Sequence, residues 1–186
     1  MAVSPESSAG ATAAYRRLAP VVLGYLRAEG VPDAENVLGE VFLQVARDFH
    51  RFSGDDAALR HWVFTIARNR LIDDRRRRAR RPQLDDGPLP DRADTAVPDE
   101  LLDPRLLAAL RGLTPDQREV VALRFVADLS LEAVARTTRR GTGAVKALQH
   151  RGLASLARIL VDQDGALSGD ERPRARRPDG SVATPG

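Results

Sequence analysis

The sequence predicts an all-α protein: two small helical domains joined by a flexible acidic linker, the second containing a helix-turn-helix. Three observations carry this. Apolar residues recur at steps of three and four through two stretches, about 15–81 and 104–160. No segment shows the alternation of a strand. Between the stretches, Pro82, Pro88, Pro90, Pro98 and Gly87 would break any helix. From Asp85 to Asp103 this segment carries seven acids against one arginine. Residues 82–103 therefore read as a charged tether. A second reading stays open, that of an acidic strand lying in a positively charged channel as a nucleic-acid mimic. Residues 1–14 are small and polar, and residues 161–186 are rich in Gly, Pro, Ser, Asp and Arg. Both ends are expected to be disordered.

The first stretch divides into three helices. Arg16–Glu29 places Leu18, Val21, Val22, Tyr25 and Leu26 on one side and stops at Gly30, although Pro20 is unusual within it. Pro32-Asp33 opens the second helix, whose Ala34, Val37, Leu38, Val41, Phe42, Val45 and Phe49 make one apolar face. Ser53-Gly54-Asp55-Asp56 is a loop. The third helix starts near Ala57, turns Leu59, Trp62, Val63, Ile66 and Ala67 inward, and runs into arginines. In the second stretch Asp103-Pro104 begins a helix over Leu106–Leu110. Thr114-Pro115-Asp116-Gln117 is a capping box with Pro in the first turn, predicting a helix to about Val126. Ser130 caps a short helix to about Thr138. After a break at Arg139–Gly143 a last helix runs from about Ala144 to Leu160.

Composition narrows the function. The 186 residues contain no cysteine, which excludes disulfides, a thiol nucleophile and Cys-ligated zinc. With three histidines a His-rich metal centre is not expected, and neither a metal nor a cofactor is predicted. The net charge of +3 is too weak to indicate nucleic acid, but its distribution is blocked. No leader-like start and no apolar run of the ~18 residues needed for a bilayer is present, so the chain is expected in the cytoplasm. His50 and His61 lack the partners of a nucleophilic triad, and no glycine-rich segment follows a phosphate-loop pattern. An enzyme is not expected.

Two constellations point to nucleic acid. Six arginines occupy seven positions from Arg75 to Arg81, after Arg68 and Arg70. A solvated helix end does not need so many, whereas phosphate contacts do. The short helix, break and long helix between Ser130 and Leu160 have helix-turn-helix spacing. They offer Arg140, Thr142, Lys146, Gln149, His150 and Arg151 near the start of the second helix, where base edges are read. An ordinary helical hairpin would share this pattern; the basic cluster elsewhere in the chain favours DNA.

Together these residues resemble a small RNA polymerase sigma factor of the extracytoplasmic-function (ECF) group of the sigma-70 family. Asp33–Val45 and Trp62–Asp73 resemble the family's region 2, and Leu113–Phe125 and Gly143–Leu153 resemble region 4. The resemblance implies a domain over 15–81 that binds core RNA polymerase and the −10 element, and one over 104–160 that reads the −35 element. Asn36, Gly39, Glu40 and Leu43 would face the polymerase. Arg68, Asn69, Asp73, Arg75 and Arg76 would lie toward −10 DNA, and the loop Phe52–Ala58 would border a pocket for a flipped-out base. Control by an anti-sigma factor is also implied. Asn36, Gly39, Ala133 and Arg139 depart from the family pattern, the first two on the polymerase face and the others in the helix-turn-helix. Two rival readings remain: a helix-turn-helix regulator that works without polymerase, and a sigma-like module that sequesters a protein partner.

Overall fold

The computed structural model describes residues 5–80 and 102–168. Seven α-helices form these residues, and no strand occurs among them. The first, α1, spans Pro5–Ala28. Residues 5–14, expected to be disordered, are thus its opening turns. Alanines dominate there and favour helix intrinsically, and Ala11 and Ala14 are buried against the rest of the fold. Pro20 sits inside the helix and removes one backbone hydrogen bond. Burial of Leu18, Ala19, Val22 and Leu23 around it offsets the loss. The helix ends as expected at Gly30, whose φ of +75° lets Val31 N–H reach back to Leu26 O at 3.1 Å.

Helix α2 (Ala34–Asp48) is capped by Asp33, whose carboxylate accepts the Asn36 N–H at 3.2 Å. Its inner face is the predicted one: Val37, Leu38, Val41, Phe42 and Val45 are buried. A 3-10 turn (Phe49–Arg51) and a short loop lead to α3 (Asp56–Arg80), where Asp55 accepts the Ala58 N–H at 2.8 Å. Tyr25 and Phe64 meet edge to face at 5.6 Å in the centre of this three-helix unit.

The second unit opens with α4 (Pro104–Arg111), capped by Asp103. Residues 82–101 of the expected linker lie outside the described residues. Helix α5 (Pro115–Val121) carries the predicted capping box, with Thr114 and Gln117 bonded reciprocally. It does not continue as α-helix to Val126. Residues Ala122–Val126 form a π turn, closed by Ala127 N–H to Ala122 O at 2.9 Å. Helix α6 (Leu131–Thr138) is capped by Ser130 through the Ala133 N–H at 3.1 Å. Arg139 takes the left-handed conformation after it (φ 56°, ψ 38°). Helix α7 spans Thr142–Ser168, so residues 161–168, expected to be disordered, continue it.

The two units are packed together. α1 contacts α4 and the π turn, and α3 contacts α6. Buried residues of both, from Leu18 to Leu71 and from Leu110 to Leu148, form one contiguous cluster. Among the described residues no helix is long and apolar enough to cross a membrane.

Candidate nucleic-acid interface

Helix α3 sorts the expected −10 residues into two groups. Asn69, Asp73 and Arg76 recur at i, i+4 and i+7 and are exposed, forming one stripe. Arg68 and Arg75 flank it and are each bonded to a carboxylate, although the Arg75 side chain stays 45% exposed. Arg75 Nη2 donates to Glu29 Oε2 at 2.7 Å and to the Glu29 carbonyl at 2.9 Å. Glu29 is only 3% exposed. Burial pushes its carboxyl above the usual range, and Arg75 pulls it back. Arg75 therefore closes the C-terminal end of α1 instead of facing solvent freely. The arginine run is partly an internal network too. Buried Asp74 takes Arg77 at 3.2 Å and Arg78 at 2.7 Å, and Arg77 also meets Glu40 at 3.5 Å. Arg76 and Arg80 are exposed at the helix end.

The four residues expected to face polymerase share one side of α2, opposite its core face. Leu43 is 60% exposed, and a Cβ on Gly39 would meet nothing within 4 Å. Beside Leu43 lies an apolar groove of about 380 Å³ between α1 and α2, lined by Ala11, Tyr15, Phe42 and Ala46.

The loop expected to border a base pocket sits over aromatic rings. Phe52 stacks on Trp62 at 5.2 Å with an interplanar angle of 21°, and Phe49 meets Trp62 edge-on. Trp62, read from the sequence as a core residue, is half-buried in this cluster. Phe49 and Phe52 come from one 3-10 turn and Trp62 from α3, so the periodicity of a single helix does not bring them together. Asp56 at the loop's end pairs with Arg17 at 2.7 Å, which holds its carboxyl below the ordinary range.

In the second unit α6, the Arg139 turn and α7 form the predicted helix-turn-helix. Thr142, Lys146 and His150 lie on the exposed side of α7, with Arg151 exposed beside them. Val145, Leu148 and Gly152 face inward. Gln149 belongs to that inner flank. Its Oε1 accepts from Arg124 Nε at 3.1 Å, while Arg124 Nη1 donates to the Leu129 carbonyl. One guanidinium thus ties the π turn, the segment before α6 and α7 together. Arg140 is gripped by Asp116 at 2.7 and 3.2 Å.

The seam between the units holds residues that sequence reasoning did not single out. Arg68 Nε donates to Glu119 Oε1 at 2.8 Å, and Glu119 Oε2 lies 3.9 Å from Arg140 Nη2. Arg60 Nη1 donates to the Ala127 carbonyl at 3.2 Å. The Tyr25 hydroxyl is pushed well above its usual pKa, chiefly by burial and then by Glu29 and Glu119. His61 lines the seam with Asp128, Ser130 and Arg136, and burial lowers its pKa. No spacing rule reaches across the intervening segment to pair Arg68 with Glu119. Among the described residues no group of three or more His, Asp or Glu could hold a metal.

Comparison with known proteins matches two stretches of the chain. Residues 13–81 match the family model for sigma-70 region 2, and residues 109–158 match that for sigma-70, region 4. The ECF RNA polymerase sigma factor BldN of Streptomyces coelicolor is 34% identical over 144 residues, covering 74% of this chain and 54% of BldN. The chain thus spans about half the length of that relative. The ECF RNA polymerase sigma factor SigX of Bacillus subtilis is 34% identical over 158 residues, covering 80% of this chain and 81% of SigX. The sigma factor RpoE of Bartonella quintana, solved in complex with the anti-sigma factor NepR, superposes with a TM-score of 0.63. It is 21% identical and covers 80% of this chain and 95% of its own, a likeness of fold.

Proposed function

The chain belongs to the extracytoplasmic-function group of the sigma-70 family, and on that premise we propose that it binds core RNA polymerase and directs it to promoters with −10 and −35 elements. One observation supports the reading: two separate exposed surfaces with basic residues occur in one chain, within the stretches that match regions 2 and 4. The first is the exposed α3 stripe Asn69, Asp73 and Arg76 with the arginine-rich helix end. The second is the exposed start of α7, with Thr142, Lys146, His150 and Arg151. The stripe would engage the −10 strand and its phosphates, with the Phe52–Trp62 stack beneath the loop that receives an extruded base. The α7 residues would read the −35 element in the major groove.

Polymerase would dock on the α2 face of Asn36, Gly39, Glu40 and Leu43. Exposed Leu43 supplies the apolar anchor, and the neighbouring groove extends it. Phosphoryl transfer then belongs to the polymerase, and the chain acts by positioning, not as an enzyme. It would work in the cytoplasm, where polymerase is, and an anti-sigma protein would limit its access.

Run-off transcription from genomic fragments, with core polymerase and with or without this protein, tests the reading. Discrete start sites that require the protein are expected, and the sequences upstream would give both elements. Core binding without new starts would favour the partner-sequestering module. Neither core binding nor starts, with tight duplex binding by the free protein, would favour a regulator independent of polymerase.

A further inference from the structure

We propose that Arg77, a member of the arginine run at the end of α3, is a positioning residue for polymerase docking: it reaches across to α2 and fixes the Glu40 carboxylate on the polymerase face. The inference deepens the sigma-factor reading and rests on it for the identity of the partner. Its geometry lies entirely within the first three-helix unit, on α2 and α3.

The Arg77 guanidinium is divided between two acids. Its Nη2 donates to Asp74 Oδ1 at 3.2 Å, one turn earlier on the same helix. Its Nη1 lies 3.5 Å from Glu40 Oε1 on α2. Asp74 is buried, so one arm of the guanidinium is anchored at a fixed point. A guanidinium is planar and presents its donors in a rigid fork, so fixing Nη2 also aims Nη1. A lone surface ion pair is worth little, whereas one set in a network of charges is held more firmly. Here the network is Glu40, Arg77, Asp74 and Arg78.

On α2 itself little else steadies Glu40. Gly39 beside it has no side chain, and a Cβ there would meet nothing within 4 Å. Leu43, one turn on, is apolar and 60% exposed, and gives a carboxylate no hydrogen bond. Among the described residues Glu40 forms no ion pair besides that with Arg77. Immobilising a rotamer-rich side chain on binding costs affinity, and a side chain already held avoids most of that cost. Arg77 therefore orders the docking face before the polymerase arrives.

The second arginine on Asp74 separates this role from a structural one. Arg78 Nη2 meets Asp74 Oδ2 at 2.7 Å, closer than Arg77 does. Loss of Arg77 leaves the buried acid paired and the fold intact, but frees Glu40. Loss of Arg78 leaves both bonds of Arg77 in place.

The test is equilibrium binding of the full chain to core polymerase. Arg77→Ala should weaken it about fivefold, the scale of ordering one such side chain, and leave Tm within about 2 °C of the wild type. Arg78→Ala should leave core affinity unchanged. In a Glu40→Ala background, Arg77→Ala should have no further effect, because an arginine that acts through Glu40 has lost its partner. At saturating polymerase, Arg77→Ala should keep the wild-type salt dependence of promoter binding. Unchanged core affinity in Arg77→Ala would overturn the assignment, as would an equal loss in Arg78→Ala or full additivity with Glu40→Ala. A slope of log affinity against log salt reduced by about 0.9 would put Arg77 on a phosphate and overturn it too. A wild-type chain that fails to bind core polymerase would sink the sigma-factor reading together with this assignment. Wild-type binding that Arg77→Ala does not weaken sinks the assignment alone.

Discussion

Arg139 holds φ 56° in the turn of the helix-turn-helix, a region that glycine occupies freely and arginine at a cost. Its N–H bonds Arg136 O, and Arg140 N–H bonds Ala135 O at 3.0 Å, so the turn keeps its hydrogen bonds without a glycine. The strain is local and the recognition helix starts in place. Arg139→Gly should therefore stabilise the protein by about 1 kcal/mol and raise Tm by about 2–4 °C; a fall in Tm on thermal melting would show that the Arg139 side chain contributes more than its backbone costs. Gly152 poses the opposite problem. A Cβ there would lie 2.7 Å from Val121 Cγ2, where α7 crosses α5. Gly152→Ala should cost about 1–3 kcal/mol in denaturant unfolding.

Neighbours on one helix separate by which side they occupy. On α7, Lys146 is exposed and Gln149 is bonded to Arg124. Lys146→Ala should impair −35-dependent transcription with core binding intact. Gln149→Ala should cost about 1 kcal/mol of stability and leave the base preference at the −35 element unchanged, as read by binding to a mutated-site series. A changed preference would put Gln149 on the DNA. On α3 both Arg75 and Arg76 are exposed, but Arg75 is bonded to buried Glu29. Arg76→Ala should reduce the slope of log affinity against log salt by about 0.9, one phosphate contact. Arg75→Ala strands the buried Glu29 carboxylate and should instead cost about 2 kcal/mol of stability. Protonation of Glu29, whose pKa is already raised, limits that loss.

These pairs show how far sequence reading reached. The family resemblance grouped Asn36, Gly39, Glu40 and Leu43, and residue type marked the helix starts at Asp33, Asp103, Thr114 and Ser130, each of which caps its helix. Sequence reading also grouped the arginines after Asp74 as one cationic cluster. It could not tell that Arg75, Arg77 and Arg78 are already engaged by Glu29, Glu40 and Asp74. Those partners come mostly from other helices, and an arginine's long side chain can turn either way. The π turn was equally hidden, because Ala122–Val126 reads as ordinary helix.

At the scale of the molecule, the two units share one contiguous core, whereas the proposed function engages elements roughly 25 base pairs apart, about 85 Å of B-form duplex, so on that reading the units separate. The covalent tether survives opening, so separation exposes the seam and not the interiors of the units. Adding core polymerase or a promoter duplex to a chain carrying dyes through Ser8→Cys and Ala154→Cys, both exposed, should therefore lower energy transfer between them while helical circular dichroism is retained. Transfer that persists in the polymerase complex would mean that the closed form docks intact.

The sequence by itself determined the all-helical class, the caps at Asp33, Asp103, Thr114 and Ser130 and the inner face of α2. Those properties depend on local spacing, which a periodic pattern records. Only the tertiary structure decided that the regions close on each other, that Glu119 takes Arg68, and that Trp62 joins Phe49 and Phe52 beneath a loop. Each of these joins residues from separate elements. Their pairing is set by how whole surfaces and charges fit in three dimensions, which no one-dimensional period encodes.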